Sequence, residues 1–177
     1  MSSVDKPKSR QKPGFIKSRL LYFWNFWPPF IGAGISIQKV EGGWGDGIRA
    51  MEVRLRLWPW NSNYVGTQFG GSLFAMTDPF LMVMLMRRLG RDFVVWDKAA
   101  SIRYARPGRS DCFVRFEVSE ELVADLRERA AREGKFDWTT RVEVRDVEGQ
   151  VVAEVEKVIY ISKRSLYEAR SSSRNET

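Results

Sequence analysis

The 177-residue sequence predicts an α+β fold in which an antiparallel sheet wraps around one long central buried helix. Three observations predict it. Leu73 to Met86 is apolar on nearly every side, and a helix of that kind in a globular chain is a buried one. Segments before and after it alternate apolar with polar residues at a period of two, as half-buried strands do. Turns at Glu41–Gly47 and Glu148-Gly149 join such segments into hairpins.

Taken in order, residues 1–14 are polar and basic with Pro7 and Pro13, which reads as a disordered leader. Residues 15–30 form an aromatic stretch, and Leu20 to Ile37 holds eighteen residues without a charge, the length at which a membrane span begins. Pro28-Pro29 splits it into a short aromatic helix ending near Trp27 and a glycine-bearing lead into a strand. Three readings stay open: packing across the chain's own sheet or ligand tunnel, which the split favours, weak membrane-interface contact through residues 15–31, and a true span.

Ile35 to Val40 and Ile48 to Leu57 read as the first hairpin, with Met51, Val53, Leu55 and Leu57 on one face and Glu52, Arg54 and Arg56 on the other. Trp58-Pro-Trp60 stops the strand and starts a loop holding Asn61 and Asn63, which opens through Gly70-Gly71 into the buried helix. Arg87-Arg88-Leu-Gly90 ends that helix. Phe93 to Tyr104 follows as a strand whose Ala99-Ala100-Ser101 is thin enough for close approach of a backbone or ligand. After the turn Arg106-Pro-Gly-Arg109 comes a strand from Cys112 to Val118, then a charged helix capped by Ser119 and running to about Arg132. Phe136 to Val147 and Val151 to Ile161 make the last hairpin. The organisation is thus a leader (1–14), an aromatic helix (15–30), one domain (31–162) and a loose polar tail (163–177).

A net charge of +7 favours anionic partners, but much of it sits in the two ends, and nothing resembles a zinc finger, an RNA-recognition signature or a helix-turn-helix. Solvated basic tails are the better account, and no nucleic-acid partner is expected. Histidine is absent, which removes imidazole catalysis and histidine-ligated metals. Cys112 is the single cysteine and falls in a strand, so it reads as a buried inert thiol. Carboxylates, hydroxyls, lysines and backbone dipoles remain for chemistry; no cofactor and no metal is expected.

Those groups meet at the loop and the helix it opens. A helix starting near Gly71 would turn unpaired N–H groups toward whatever lies in front of it, which suits an anion or a developing oxyanion. Asp78 follows by seven residues, so Gly71, Ala75, Asp78 and Met82 would share a helical face. A carboxylate there must be paired, hydrated or used. Pro79 directly after it predicts a kink or a local opening. Ser72 reads as a first-turn hydroxyl and Thr77 as one bonding back to the previous turn.

A long helix between the second and third strands, wrapped by an antiparallel sheet, is the plan of the hotdog fold. Asn63, Phe69-Gly70-Gly71 and Asp78 resemble a thioesterase pattern in which an Asn precedes a His-Gly-Gly and an Asp follows nine residues after the His; here Asp78 follows Phe69 by nine. Gly66-Thr-Gln-Phe-Gly-Gly-Ser-Leu-Phe-Ala-Met-Thr-Asp-Pro-Phe80, with Asp97-Lys98-Ala99 and Arg106-Pro107-Gly108, is similar to a bacterial family of unassigned function, DUF4442, in the hotdog thioesterase superfamily, over about residues 30–162.

The resemblance implies hydrolysis of an acyl-thioester, carried by CoA or an acyl carrier. It implies that the Gly71 N–H polarises the carbonyl and that Asp78 acts as nucleophile or activates water. It further implies a homodimer or tetramer, in which Asp78 of one chain serves Gly71 of the other. Phe69 stands where many relatives have histidine, so one donor is missing and catalysis leans on Gly71, helped by the Asn63 or Gln68 amide. Losing one such donor typically lowers the rate about 10² to 10³-fold. Gln68, Phe69, Gly70 and Ser72 would line the substrate site, with Lys98, Arg103, Arg106 and Arg109 as cations for CoA phosphates and Phe23, Trp24, Trp27 and Phe30 closing the acyl end. The expected place of work is the cytoplasm, peripheral to the inner membrane. Two other classes stay open: a hotdog protein that binds acyl chains or acyl carriers without hydrolysis, and a membrane-associated structural oligomer.

Overall fold

The structure, a computed structural model, describes residues 20–43 and 47–174; the expected leader lies outside them. A 3₁₀ turn at Leu20–Phe26 and helix α1 (Pro28–Ala33) precede strands β1 (Ile35–Glu41) and β2 (Ala50–Leu55). Pro28-Pro29 opens α1, where the missing N–H of proline costs nothing. The helical segments α2 (Gly70–Ala75) and α3 (Phe80–Leu89) follow, then β3 (Phe93–Tyr104), β4 (Cys112–Glu117), α4 (Glu120–Glu133), β5 (Lys135–Asp146), β6 (Val151–Lys163) and α5 (Arg164–Arg174).

The six strands form one antiparallel sheet in the order β1-β2-β4-β5-β6-β3. Its inner face carries Met51, Val53 and Leu55 from β2, Val114 and Phe116 from β4, and Val155, Ile159 and Ile161 from β6. Against that face α3 buries Phe80, Leu81, Val83, Met84, Leu85, Arg88 and Leu89, which bears out an apolar helix inside the sheet. Trp24 and Phe30 stack toward Phe80 with ring centroids 6.0 and 5.4 Å away, so the aromatic entry segment is partly absorbed into the core, while Phe23, Phe26 and Trp27 face outward.

Three expectations are corrected. The central helix is not continuous: α2 ends at Ala75 and α3 begins at Phe80, with a cis Asp78–Pro79 bond between them. Asp78 therefore lies on the connection and does not share a helical face with Gly71 and Ala75. The end of the chain, expected as a loose tail, is helical over Arg164–Arg174. Elsewhere the hairpins and the Ser119 cap, whose hydroxyl accepts the Leu122 N–H at 3.1 Å, fall where the sequence puts them.

One buried cation ties this framework together. Arg88, 3 % exposed near the end of α3, donates to the carbonyls of Ile48 and Val118, which flank β2 and β4, and faces Glu120 at 2.8 Å. A guanidinium suits the place because its planar fork reaches several acceptors at once.

Candidate active site

The loop from Asn61 to Phe69 is organised by its own amides. Asn61 donates to the carbonyls of Ala33 and Arg56, both at 2.8 Å, and accepts the Trp58 N–H. Asn63 Oδ1 accepts the N–H groups of Val65 and Thr67, and its Nδ2 donates to Thr67 Oγ1 at 2.8 Å and, more weakly, to the Gln68 carbonyl at 3.4 Å. Gln68, 3 % exposed, gives both amide protons to the carbonyls of Leu55 and Ser110 at 3.1 Å. The N–H groups of both amides are thus engaged in building the loop, while the buried Gln68 Oε1 has no hydrogen-bond partner among the described residues.

This loop delivers the start of α2. Among the described residues no acceptor bonds the N–H of Gly70 or Gly71, as the first turn of a helix dictates. Tyr104 donates its hydroxyl to the Gly70 carbonyl at 3.0 Å. Phe69 is half exposed, and its ring lies so close to Gly71 that a β-carbon there would sit 2.5 Å from the ring edge. Asn63, Gln68, Gly70, Arg106 and Arg109 line a cleft of about 540 Å³ with Leu73 and Tyr104; Phe69, Gly71, Ser72, Asp78 and Lys98 do not line it. Within one chain the expected site is thus split.

Asp78 forms the other part. Its carboxylate is 59 % exposed and lies 3.6 Å from the ammonium of Lys157, which is only 2 % exposed. Lys157 donates to the Thr77 carbonyl at 3.0 Å and to Asp97 Oδ2 at 3.1 Å. Burial pushes the Asp97 carboxyl above its ordinary value; Lys157 pulls it back and the neighbouring Asp78 adds to the rise. Thr77 bonds back to the Phe74 carbonyl at 2.7 Å, as expected. Ser72 is buried at the start of α2.

The expected phosphate-binding cations are mostly engaged. Lys98 pairs with Asp137 at 2.6 Å, Arg103 with Glu154 at 2.5 Å and Arg106 with Asp146 at 2.8 Å. Arg109, exposed beside the cleft, has no ion-pair partner among the described residues. No group of three or more His, Cys, Asp or Glu among them could hold a metal ion.

Lys157 and Tyr104 escaped the reading of the sequence, and Asp97 entered it only within a motif. A signal for Lys157 existed: Val155, Lys157, Ile159 and Ile161 alternate along β6, which puts the lysine in the inward register.

No curated protein matches the chain. The family described as "Domain of unknown function (DUF4442)" matches residues 18–161. Among solved structures, a Pseudomonas aeruginosa protein of unknown function, named a "Probable Thioesterase", aligns with a TM-score of 0.70 at 20% identity, over 83% of this chain and 96% of that one. A Chlorobaculum tepidum protein of unknown function aligns with a TM-score of 0.63 at 17% identity, over 86% and 97%. A Haemophilus influenzae thioesterase aligns with a TM-score of 0.57 at 14% identity, over 85% and 92%. What is shared at these identities is the fold, which is the hotdog fold.

Proposed function

The chain belongs to the DUF4442 family, and from that premise we propose that it hydrolyses acyl-thioesters, of CoA or of an acyl carrier, in sites that two copies build together. The Gly71 N–H of one protomer donates to the thioester carbonyl oxygen. Asp78 of the partner subunit attacks the carbonyl carbon or takes a proton from a water that does. Where water attacks, the C–S bond breaks, the thiolate leaves with the proton that Asp78 took, and the acyl group departs as a carboxylic acid. Where Asp78 attacks, the thiolate leaves from a mixed anhydride, which a water then hydrolyses to the carboxylic acid and the free Asp78 carboxylate, its proton going to the thiolate.

One observation carries this reading. In a chain without histidine, the two chemically available elements, free N–H groups at Gly70-Gly71 and an exposed carboxylate at Asp78, lie in separate parts of one protomer. A second copy joins them. The outer strand β3 offers the means: Ala99, Ala100 and Ser101 are exposed, and β3 pairs only with β6 among the described strands. Arg109 is the cation best placed for a phosphate at the cleft mouth. The outward rings of Phe23, Phe26 and Trp27 suit a long acyl chain or weak contact with a membrane surface, and the cytoplasm, peripheral to the inner membrane, is the proposed place of work.

The test is thiol release from short, medium and long acyl-CoAs by the wild type and Asp78→Asn. A fall of about 10² or more in the variant supports the reading; no release by a folded wild-type oligomer sinks it. In that event the second reading, acyl binding without turnover, takes over. Phe69 in the donor position, with the Asn63 and Gln68 amides committed elsewhere, favours it.

A further inference from the structure

Burying an ammonium is costly unless it is fully partnered, so a lysine 1 % exposed in the core needs a reason. Lys157 sits on β6 opposite Ala100, an exposed position of the edge strand β3. It reaches the Thr77 carbonyl, in the gap where α2 has ended and α3 has not begun. Its two other neighbours are carboxyls: Asp97 at 3.1 Å and Asp78 at 3.6 Å. The register of β3 shifts between Asp97 and Ala99, pairing Asp97 with Ile159 and Ala100 with Lys157. That irregularity sets Asp97 beside Lys157 while Ala100 pairs with Lys157, two positions that unbroken alternation would have put on opposite faces of the sheet.

We propose that Lys157 and Asp97 are the positioning residues of Asp78, holding its carboxylate at the helix break. The inference rests on the thioesterase reading for its reaction, though not for its geometry. A lysine that served only to cap the end of α2 would need the Thr77 carbonyl alone. The second, inward carboxyl of Asp97 is what a cap does not explain. Burial holds Asp97 above the usual carboxylate range, with Lys157 pulling it back.

Among the described residues, the charged groups that reach Asp78 are Lys157 and Asp97. From Gly70 to Met86 the chain carries no other charge, and Arg87 and Arg88 follow only in the last turn of α3. From β6 comes Lys157 and from β3 comes Asp97, while Lys98 is engaged by Asp137 and Glu154 and Glu156 by Arg103 and Arg141.

The experiment is the pH profile of thiol-release kcat/KM for the wild type, Lys157→Met, Lys157→Arg and Asp97→Asn, beside a 13C-carboxyl NMR titration of the same four proteins, with Asp78 assigned by its loss in Asp78→Asn. Removing the cation should move the acid limb and the Asp78 carboxyl midpoint up by about one pH unit, and removing the second carboxyl should move both down by a similar amount. Lys157→Arg should restore the wild-type position. Opposite displacements in Lys157→Met and Asp97→Asn support the proposal; either of these two keeping the wild-type midpoint while folded, or both moving one way, overturns it. Should Lys157→Met fail to fold, Asp97→Asn decides: a downward displacement supports the proposal, and an unchanged or raised midpoint overturns it. Should the wild type release no thiol, the proposed function falls while the carboxyl titration still decides this inference.

Discussion

The Tyr104 hydroxyl, at the end of the outer strand β3, donates to the Gly70 carbonyl at 3.0 Å and so pins the first turn of α2 to the edge of the sheet. The bond orients the free N–H groups of Gly70 and Gly71. Tyr104→Phe removes it without changing volume. At about 1 kcal/mol for such a bond, kcat should fall about fivefold with the melting temperature nearly unchanged. Gly70→Ala should do more harm, since its β-carbon would lie 2.8 Å from the tyrosine oxygen and force the ring away. Steady-state kinetics on both variants check this ordering.

Phe69 covers Gly71 with a ring that cannot donate a hydrogen bond. Phe69→His places an N–H in the same position. Because one oxyanion donor is typically worth about 10² to 10³ in rate, a gain of at least tenfold in kcat is expected, measured on the best substrate of the acyl-CoA panel. A histidine variant no faster than the wild type would show that residue 69 does not face the carbonyl.

Arg88 is a stability prediction. Its Nη1 donates to Ile48 and Val118 carbonyls at 3.2 and 3.0 Å, and Arg88→Met leaves both buried acceptors without a donor. Urea denaturation should show a loss of about 3 kcal/mol. Thiol release by the protein that remains folded should be unaltered, because Arg88 contacts neither part of the site.

Cys112 is fully buried, and burial pushes its thiol up to about 12, with Asp146 and Asp111 adding to the rise. A raised thiol stays protonated until strongly alkaline pH, and only the thiolate reacts. At pH 8 a disulfide reagent should label the folded protein about 10³-fold more slowly than the chain in guanidinium.

The strands were legible because their apolar residues keep strict alternation, as Met51, Val53 and Leu55 do, and because Ser119 and Thr77 act through bonds to their nearest neighbours. The helix break was half legible. Pro79 marks it, yet spacing counted through it placed Asp78 on a face that does not exist. The hydrogen-bond partners of Gln68 were not legible because an amide's partners depend on which carbonyls the fold brings near, and Leu55 and Ser110 are far from Gln68 in sequence. Lys157 needed the same long-range information: its partners lie 60 and 80 residues away.

The thin stretch Ala99-Ala100-Ser101 on β3 has one more consequence. In the proposed dimer a strand meets its own image about a two-fold axis, so any change made there is presented from both sides. In that dimer Ala99→Lys, at an exposed edge position, would bring one added charge from each chain toward the axis and weaken both proposed sites at once. In the proposed dimer an edge-strand change is thus felt by the pair of chains and not by the single chain.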